Sequence, residues 1–138
     1  MKAYLDSSVL LRVLLGQPGR LREWARIEVG VASRLVEVEC LRVLDRLRLA
    51  GAVDDERLAA QREALYRLTG ALDLVEVTPA VLSAASQPMP TVIGTLDAIH
   101  LATGMMWRDA RDPEVVMATH DRGLALAARA SGFAVIGV

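Results

Sequence analysis

Several residue types are rare in this sequence, and each shortage excludes a class of protein. Cysteine occurs once, as Cys40, so the chain can form neither an internal disulfide nor a cysteine-based zinc cluster. No apolar run approaches the roughly 20 residues that a membrane-spanning helix needs. A single lysine precedes the first predicted strand, where a signal peptide would have a charged segment and an apolar run. We therefore expect a cytoplasmic protein without a membrane segment.

Lysine and aromatic residues are also scarce, and neither shortage favours a nucleic-acid ligand. Lys2 is the only lysine, so arginine carries nearly all of the positive charge. The formal net charge of -1 gives the chain as a whole no electrostatic attraction for nucleic acid. Aromatic residues make up 4% of the sequence and give no evidence of a base-stacking surface. Composition alone therefore does not point to RNA or DNA.

Apolar side chains are abundant, and they fall in alternating strand-like and helix-like segments. They make up 53% of the 138 residues, enough for one domain, 1–138, with a sizeable core. Predicted strands lie at 3–5, 29–32, 72–77, 115–118 and 133–138. Predicted helices lie at 7–15, 20–28, 33–50, 54–68, 79–85, 96–107 and 121–130, with Ser7, Ser33 and Thr95 as N-caps. The alternation predicts an α/β fold of three layers, α/β/α, with a central, mainly parallel sheet and strand 72–77 at its edge.

Asp6 stands directly after the first predicted strand. In open parallel sheets, ligands gather outside the carboxyl ends of the strands, where loops lead into helices. A carboxylate in such a place is costly to desolvate without a partner. It also suits an N-cap for the following helix, although Ser7 offers the same cap. Taken alone, Asp6 is equally well explained as a cap and as a site residue.

Glu39 lies near the buried face of predicted helix 33–50. The apolar residues of this helix cluster on one face of a helical wheel: Val36, Cys40, Val43 and Leu47. Glu39 lies about 60° from the centre of that face, whereas Glu37 lies about 100° away on the other flank. A solvated pair between Glu39 and Arg42, three residues on, is the alternative interpretation.

Two further aspartates begin later helices. Asp97 lies in the first turn of the apolar helix 96–107, where the helix dipole favours an acid. The same wheel aligns Asp97 with His100 along one side of this helix, which indicates a polar partner elsewhere. Asp121 follows a predicted strand and begins a helix, and taken alone it is better explained as the N-cap of that helix than as a site residue. His100 and His120 have no zinc-ligand spacing and are expected to be structural.

The four acids lie just after predicted strands or on helices that follow them, and in a parallel sheet these places share one edge: Asp6, Glu39, Asp97 and Asp121. Carboxylates brought together repel one another, and their pKa values rise unless a cation balances them. A hard divalent cation such as Mg²⁺ accepts oxygen ligands and keeps several waters. Such a cluster suits phosphodiester hydrolysis without a serine, cysteine or histidine nucleophile. We therefore hypothesise a metal-dependent hydrolase.

Four blocks in this order resemble the PIN-domain family, and within it the VapC-type toxins of bacterial toxin–antitoxin pairs. The blocks cover most of the chain: YLDSSVLLRVLL, ASRLVEVECLRVLDR, TLDAIHLATG and ATHDRGLALAARASGFAVIGV. The resemblance implies a PIN fold and an endoribonuclease dependent on Mg²⁺ or Mn²⁺ that cleaves RNA. It also implies a homodimer and a cognate antitoxin that occupies the site.

The resemblance further implies a role for each matched side chain. The family's acidic positions, which are catalytic and bind the metal, correspond to Asp6, Glu39, Asp97 and Asp121. Hydroxyl residues beside the first and last acids correspond to Ser8 and Thr119. Arg34 and Arg122 flank acidic positions and are candidates for contact with RNA phosphates.

Two alternatives remain for the same residues. Phosphatases of the haloacid dehalogenase type also begin with an aspartate at a strand end, but they have a second aspartate two residues later. Ser8 stands there in this chain. A PIN scaffold that only binds a partner is the second alternative, and the presence of all four acids argues against it.

Overall fold

The computed structural model covers residues 1–138, in which five strands alternate with six α-helices. The strands are β1 (Lys2–Leu5), β2 (Val29–Ser33), β3 (Asp73–Val75), β4 (Val116–Ala118) and β5 (Val135–Ile136). The helices are α1 (Ser7–Leu14), α2 (Leu35–Leu49), α3 (Asp55–Gly70), α4 (Pro79–Ala85), α5 (Thr95–Arg111) and α6 (Arg122–Ala130). All five predicted strands are confirmed in type, and the third and the last are shorter than their predicted spans.

The strands form a single parallel sheet in the order β3-β2-β1-β4-β5. From the central β1 the chain builds outward through β2 to β3, and then crosses to β4 on the other side of β1. Strand order therefore reverses between β1 and β4, where doubly wound sheets bind their ligands. The predicted α/β fold with a parallel sheet is confirmed, as is the edge position of β3.

Helices cover both faces of the sheet because β1 and its neighbours are apolar on both sides. One core contains Ala3 and Leu5 of β1 with residues of α1, α2 and α3. The other contains Tyr4 with residues of α5 and α6. Successive side chains of a strand point to opposite faces, so the three residues Ala3, Tyr4 and Leu5 serve both cores. This arrangement is the predicted α/β/α layering.

Helix α5 is the most deeply buried helix, as its nearly uniform apolar character predicts. Seven consecutive residues from Ala98 to Gly104 are buried. Gly104 lets α5 approach the sheet, because a Cβ there would lie 3.2 Å from the Met117 side chain and 3.5 Å from that of Tyr4. None of the helices combines the length and the apolar character that a membrane span requires.

The predicted helix 20–28 is wrong: only a single 3-10 turn, Trp24–Arg26, forms there. The segment is amphipathic, but its end is drawn into the sheet. The backbone N–H of Glu28 donates to the carbonyl of Met1 at 2.9 Å, and Ile27 is already extended. Pairing with β1 thus takes the backbone groups that another helical turn would need.

The N-caps also differ from the predicted ones. Asp6 rather than Ser7 caps α1, and Gly94 rather than Thr95 stands at the cap of α5. Arg34 holds the cap position of α2, although the predicted Ser33 hydroxyl does accept the Leu35 N–H at 3.2 Å. Asp and Ser have similar capping strength, so the backbone conformation at the strand end decides between them.

Candidate functional site

The four predicted acids lie around the carboxyl edge of the sheet, at the ends of the paired strands β1 and β4, where the strand order reverses. Asp6 follows β1, Asp121 follows β4, Glu39 lies on α2 and Asp97 lies in the first turn of α5. Burial, followed by the negative charges of Asp121 and Asp6, raises the pKa of Asp97 above its usual value; Glu39 adds a smaller effect. Each of the other three acids therefore acts electrostatically on Asp97.

Asp6 is the most enclosed of the four, with 4% of its surface exposed. One oxygen, Oδ1, accepts the backbone N–H of Ser8 and so caps α1. The other, Oδ2, accepts hydrogen bonds from the Ser8 hydroxyl at 3.0 Å and from the Thr119 hydroxyl. Asp6 therefore caps α1 through one oxygen and joins a cluster of hydroxyl groups through the other, while its role as a site residue stays a prediction.

Ser8 and Thr119 connect Asp6 to the segment that carries Asp121. The Ser8 hydroxyl accepts the His120 N–H at 2.9 Å, and the Thr119 hydroxyl accepts the Asp121 N–H at 2.9 Å. Asp121 caps α6 in turn, because its Oδ1 accepts the Leu124 N–H at 2.7 Å. The two hydroxyl groups thereby fix the ends of β1 and β4 relative to each other.

Glu39 is the more buried of the two glutamates on its helix, as the wheel predicts. Its side chain is 17% exposed, against 35% for Glu37. Arg42 pairs with Asp45 rather than with Glu39. Glu39 instead accepts a hydrogen bond from His100 Nε2 to Oε1 at 2.6 Å and one from Ser7 Oγ to Oε2 at 3.1 Å. The solvated i,i+3 pair is thus excluded in this structure.

Both histidines have structural contacts, and neither lies in a zinc-type cluster. His100 is buried and contacts Tyr4 as well as Glu39. His120 donates from Nδ1 to the Gly137 carbonyl at 2.7 Å. Gly137 has φ +102°, and a Cβ there would overlap the carbonyl oxygen of Thr119. Glycine is therefore required where the end of β5 meets the segment carrying Thr119.

Sequence reasoning missed two contributors to this site, Ser7 and Tyr4. The sequence predicts Ser7 as a cap, and nothing local indicates that its hydroxyl reaches a glutamate 32 residues away. For Tyr4 a signal is present: its ring carries a hydroxyl within the apolar strand at residues 3–5, and a buried hydroxyl needs a partner. The polar side of α5, which holds His100, supplies that partner.

Charge balance at the site fits a cation. No arginine or lysine forms an ion pair with any of the four acids, and Glu39 contacts His100 instead. The donors are carboxylate oxygens, which Mg²⁺ and Mn²⁺ prefer. No three Asp, Glu, His or Cys side chains are arranged to hold one ion directly. The donor set therefore suits a hydrated hard cation better than a dehydrated zinc ion.

The two predicted phosphate-contacting arginines are in different states. Arg34 donates from Nε to Glu76 at 2.7 Å and lies 3.5 Å from a Glu37 oxygen. Arg122 is exposed beside Asp121 and forms no ion pair. Of these two arginines, therefore, only Arg122 has a charge next to the four acids that no ion pair compensates.

A family model described as "PIN domain" matches residues 3–130. Two curated proteins of Mycobacterium tuberculosis are similar to the chain. Ribonuclease VapC47 is 30% identical over 137 residues, which cover 94% of this chain and 92% of that protein. Ribonuclease VapC46 is 36% identical over 103 residues, which cover 72% of each.

Three solved structures share the fold. PAE2754 from Pyrobaculum aerophilum has a TM-score of 0.66 at 19% identity and covers 98% of this chain and 83% of its own. A toxin–antitoxin complex from Klebsiella pneumoniae has a TM-score of 0.63 at 14% identity, with coverages of 90% and 91%. FitAcB from Neisseria gonorrhoeae has a TM-score of 0.62 at 20% identity, with coverages of 96% and 95%.

Proposed function

Because the chain belongs to the PIN domain family, as its sequence blocks predicted, we propose that it is a metal-dependent endoribonuclease and the toxin of a type II toxin–antitoxin pair. The observation that carries the proposal is the set of four acids at the strand-order reversal. The negative charges of the other three raise the pKa of Asp97. The curated relatives are named ribonucleases, which supports RNA as the substrate.

Asp6, Glu39 and Asp97 would hold the principal ion together with its bound waters, and Asp121 would complete its shell or assist a second. A bound Mg²⁺ or Mn²⁺ supplies an activated water and charge neutralisation at the phosphate. The chain's own residues hold the donors in place: Ser8 and Thr119 orient Asp6 through hydrogen bonds to its Oδ2. Attack by water on the phosphodiester leaves a 5′-phosphate and a 3′-hydroxyl. Products ending in a 2′,3′-cyclic phosphate would show attack by the ribose hydroxyl instead.

For the RNA backbone we favour Arg122 over Arg34 as a phosphate contact, because Arg34 is already paired with Glu76. Replacing Arg122 by Gln should raise KM for RNA and reduce the salt dependence of binding, with a smaller effect on kcat. Arg129→Gln, on an exposed position of the same helix, is the control. Equal effects from the two variants would remove Arg122 from the site.

An antitoxin would have an apolar surface to occupy beside the acids. A groove of about 380 Å³ is lined by Ser7, Leu11, Val38, Glu39, Arg42, Val43, Arg46 and Leu96. We expect an antitoxin segment with apolar and acidic side chains to lie there and to cover Glu39. Val38→Asp should then abolish neutralisation by the antitoxin while RNA cleavage continues. Val92→Asp is the matched control, since Val92 is fully exposed and lies outside the groove.

The family resemblance also leads us to propose a homodimer. Light scattering should then give about twice the chain mass of 14.9 kDa. A mass equal to one chain at micromolar concentration would contradict the dimer without affecting the proposed chemistry.

RNA cleavage in the presence and absence of EDTA tests the function. We expect EDTA to stop cleavage and added Mg²⁺ or Mn²⁺ to restore it, and we expect Asp97→Asn to abolish it. Asp109→Asn is the matched control, because Asp109 is an exposed acid near the other end of α5 that contacts only Arg108. Cleavage that survives EDTA would refute the metal mechanism. Absence of cleavage and of metal binding in folded protein would favour the inert scaffold.

A further inference from the structure

A row of polar side chains runs from the core to Glu39 and has no part in the chemistry described so far. Tyr4 Oη lies 3.1 Å from His100 Nδ1, and His100 Nε2 lies 2.6 Å from Glu39 Oε1. Tyr4 lies on β1, His100 on α5 and Glu39 on α2, so the row links the sheet to helices on both of its faces. Tyr4 and His100 are both almost completely buried.

The hydrogens in this row can be assigned from which atoms can donate and which can only accept a hydrogen bond. A carboxylate oxygen is only an acceptor, so Nε2 of His100 must carry the hydrogen at 2.6 Å from Glu39. In the neutral ring, Nδ1 is then an acceptor and takes the hydrogen of the Tyr4 hydroxyl. The phenolic hydroxyl of Tyr4 carries one hydrogen that it can donate. Tyr4 therefore selects the tautomer that donates to Glu39.

Glu39 is also held from its other oxygen. Ser7 Oγ donates to Oε2 at 3.1 Å, so each carboxylate oxygen accepts one hydrogen bond. A carboxylate oxygen has about two acceptor sites, which leaves each of them one site for a cation or its water. Arg42, although one helical turn away, is engaged by Asp45 and leaves the charge of Glu39 uncompensated. The contacts thus restrict the rotation of Glu39 while its charge remains available.

We propose that His100 is a positioning residue that holds the Glu39 carboxylate in the orientation needed to bind the divalent ion, and that Tyr4 sets the histidine tautomer for this task. The inference rests on the proposed metal-dependent function, and it assigns a role in metal affinity to two core residues. Groups that orient metal ligands in this way typically contribute about 10–100-fold to metal affinity. A histidine buried only for packing would contribute nothing to it.

Calorimetric titration with Mn²⁺ alone tests the proposal without any measurement of activity. We expect His100→Leu to weaken Mn²⁺ binding about 10–100-fold. His100→Gln should recover part of the loss, because its amide can donate to Glu39. Tyr4→Phe should cause a smaller weakening, because the ring remains and only the hydroxyl that sets the tautomer is lost.

Thr69→Val is the matched control, since Thr69 is a buried hydroxyl residue of α3 that bonds only to backbone carbonyls. It should destabilise the fold without changing Mn²⁺ affinity. Thermal melts in EDTA establish that each variant is folded. If His100→Leu does not fold, Tyr4→Phe and His100→Gln carry the test.

The outcomes separate this inference from the proposed function. Native affinity in all folded Tyr4 and His100 variants would overturn the positioning role while the metal site stands. Weakening of the same size in Thr69→Val would also overturn it, because the effect would then be general destabilisation. Absence of Mn²⁺ binding by the native protein would overturn the metal-dependent function, and the positioning role with it.

Discussion

The Thr119 hydroxyl joins the two strand ends that carry Asp6 and Asp121, and Thr119→Val removes it with little change of shape. Thr119 is fully buried. Its hydroxyl donates to Asp6 Oδ2 and accepts the backbone N–H of Asp121. Valine keeps the β-branched volume but makes neither bond, so a buried carboxylate loses one donor and a backbone N–H loses its acceptor.

The two losses can be converted into a change in melting temperature. A hydrogen bond to a charged group contributes about 1.5–3 kcal/mol, and an unsatisfied buried N–H costs about 1–3 kcal/mol. Asp6 keeps two donors from Ser8, and the hydrogen bond of the Asp121 N–H is only partly buried, so we expect about 2–3 kcal/mol in total. An unfolding entropy of about 2.1 cal/mol/K per residue gives about 0.29 kcal/mol/K for 138 residues, hence a fall in Tm of about 7–10 °C.

Thermal unfolding followed by circular dichroism in EDTA measures this fall without any contribution from a bound ion. Thr119→Ser is the matched control, since it keeps the hydroxyl and should lie much closer to the native protein. In a double-mutant cycle, Asp6→Asn should cost less in the Thr119→Val background than in the native one. A Thr119→Val protein within about 0.5 kcal/mol of native, the usual range of neutral surface changes, would refute the reasoning.

Three further predictions concern single residues. In EDTA, native protein should gain stability relative to Asp97→Asn as the pH falls from 7 towards 3.8. Burial and neighbouring carboxylates raise the pKa of Asp97 above 3.8, so the folded state takes up the proton more readily than the unfolded state. Denaturant titrations at several pH values test this, and a pH-independent difference contradicts it. Burial raises the pKa of the Cys40 thiol to about 12, so iodoacetamide at pH 8 should alkylate Cys40 only after the protein unfolds. Mass spectrometry measures the labelling, and rapid labelling of native protein would disprove this. Gly137→Ala should lower stability by more than Gly16→Ala in thermal melts. Both glycines have positive φ, which costs alanine about 1–3 kcal/mol of strain, but only at Gly137 would the added Cβ meet a backbone carbonyl. Equal losses would argue against the close contact.

The sequence predicted features that depend on residues close together in the chain, and it missed contacts between residues far apart in the chain. The burial of Glu39 relative to Glu37 follows from helical periodicity, which a short window contains, and the structure confirms it. The partner of Glu39 does not, because His100 is 61 residues away and only the packing of α5 brings it close. A local rule therefore favoured Arg42, which has the right spacing but pairs with Asp45.

Asp6 shows a different limit. The sequence placed it at a strand end and left the cap and the site as alternatives, although one carboxylate has two oxygens and each can serve a different contact. Oδ1 caps α1 and Oδ2 faces Ser8 and Thr119. The wrong helix at 20–28 has the same kind of origin: periodicity within the segment could not reveal that the carbonyl of Met1 would bind Glu28.

The central place of β1 in the sheet has a consequence for how the protein is made. β1 is the first of the five strands to be synthesised, yet one of its two neighbours is β4, more than 110 residues later. Asp6 meets Thr119 across a separation of 113 residues. A nascent chain that ends before β4 has an open edge on β1 and lacks both Thr119 and Asp121. Fragments that end before β4 should therefore lack the proposed ribonuclease activity, which can arise only after most of the chain has been synthesised.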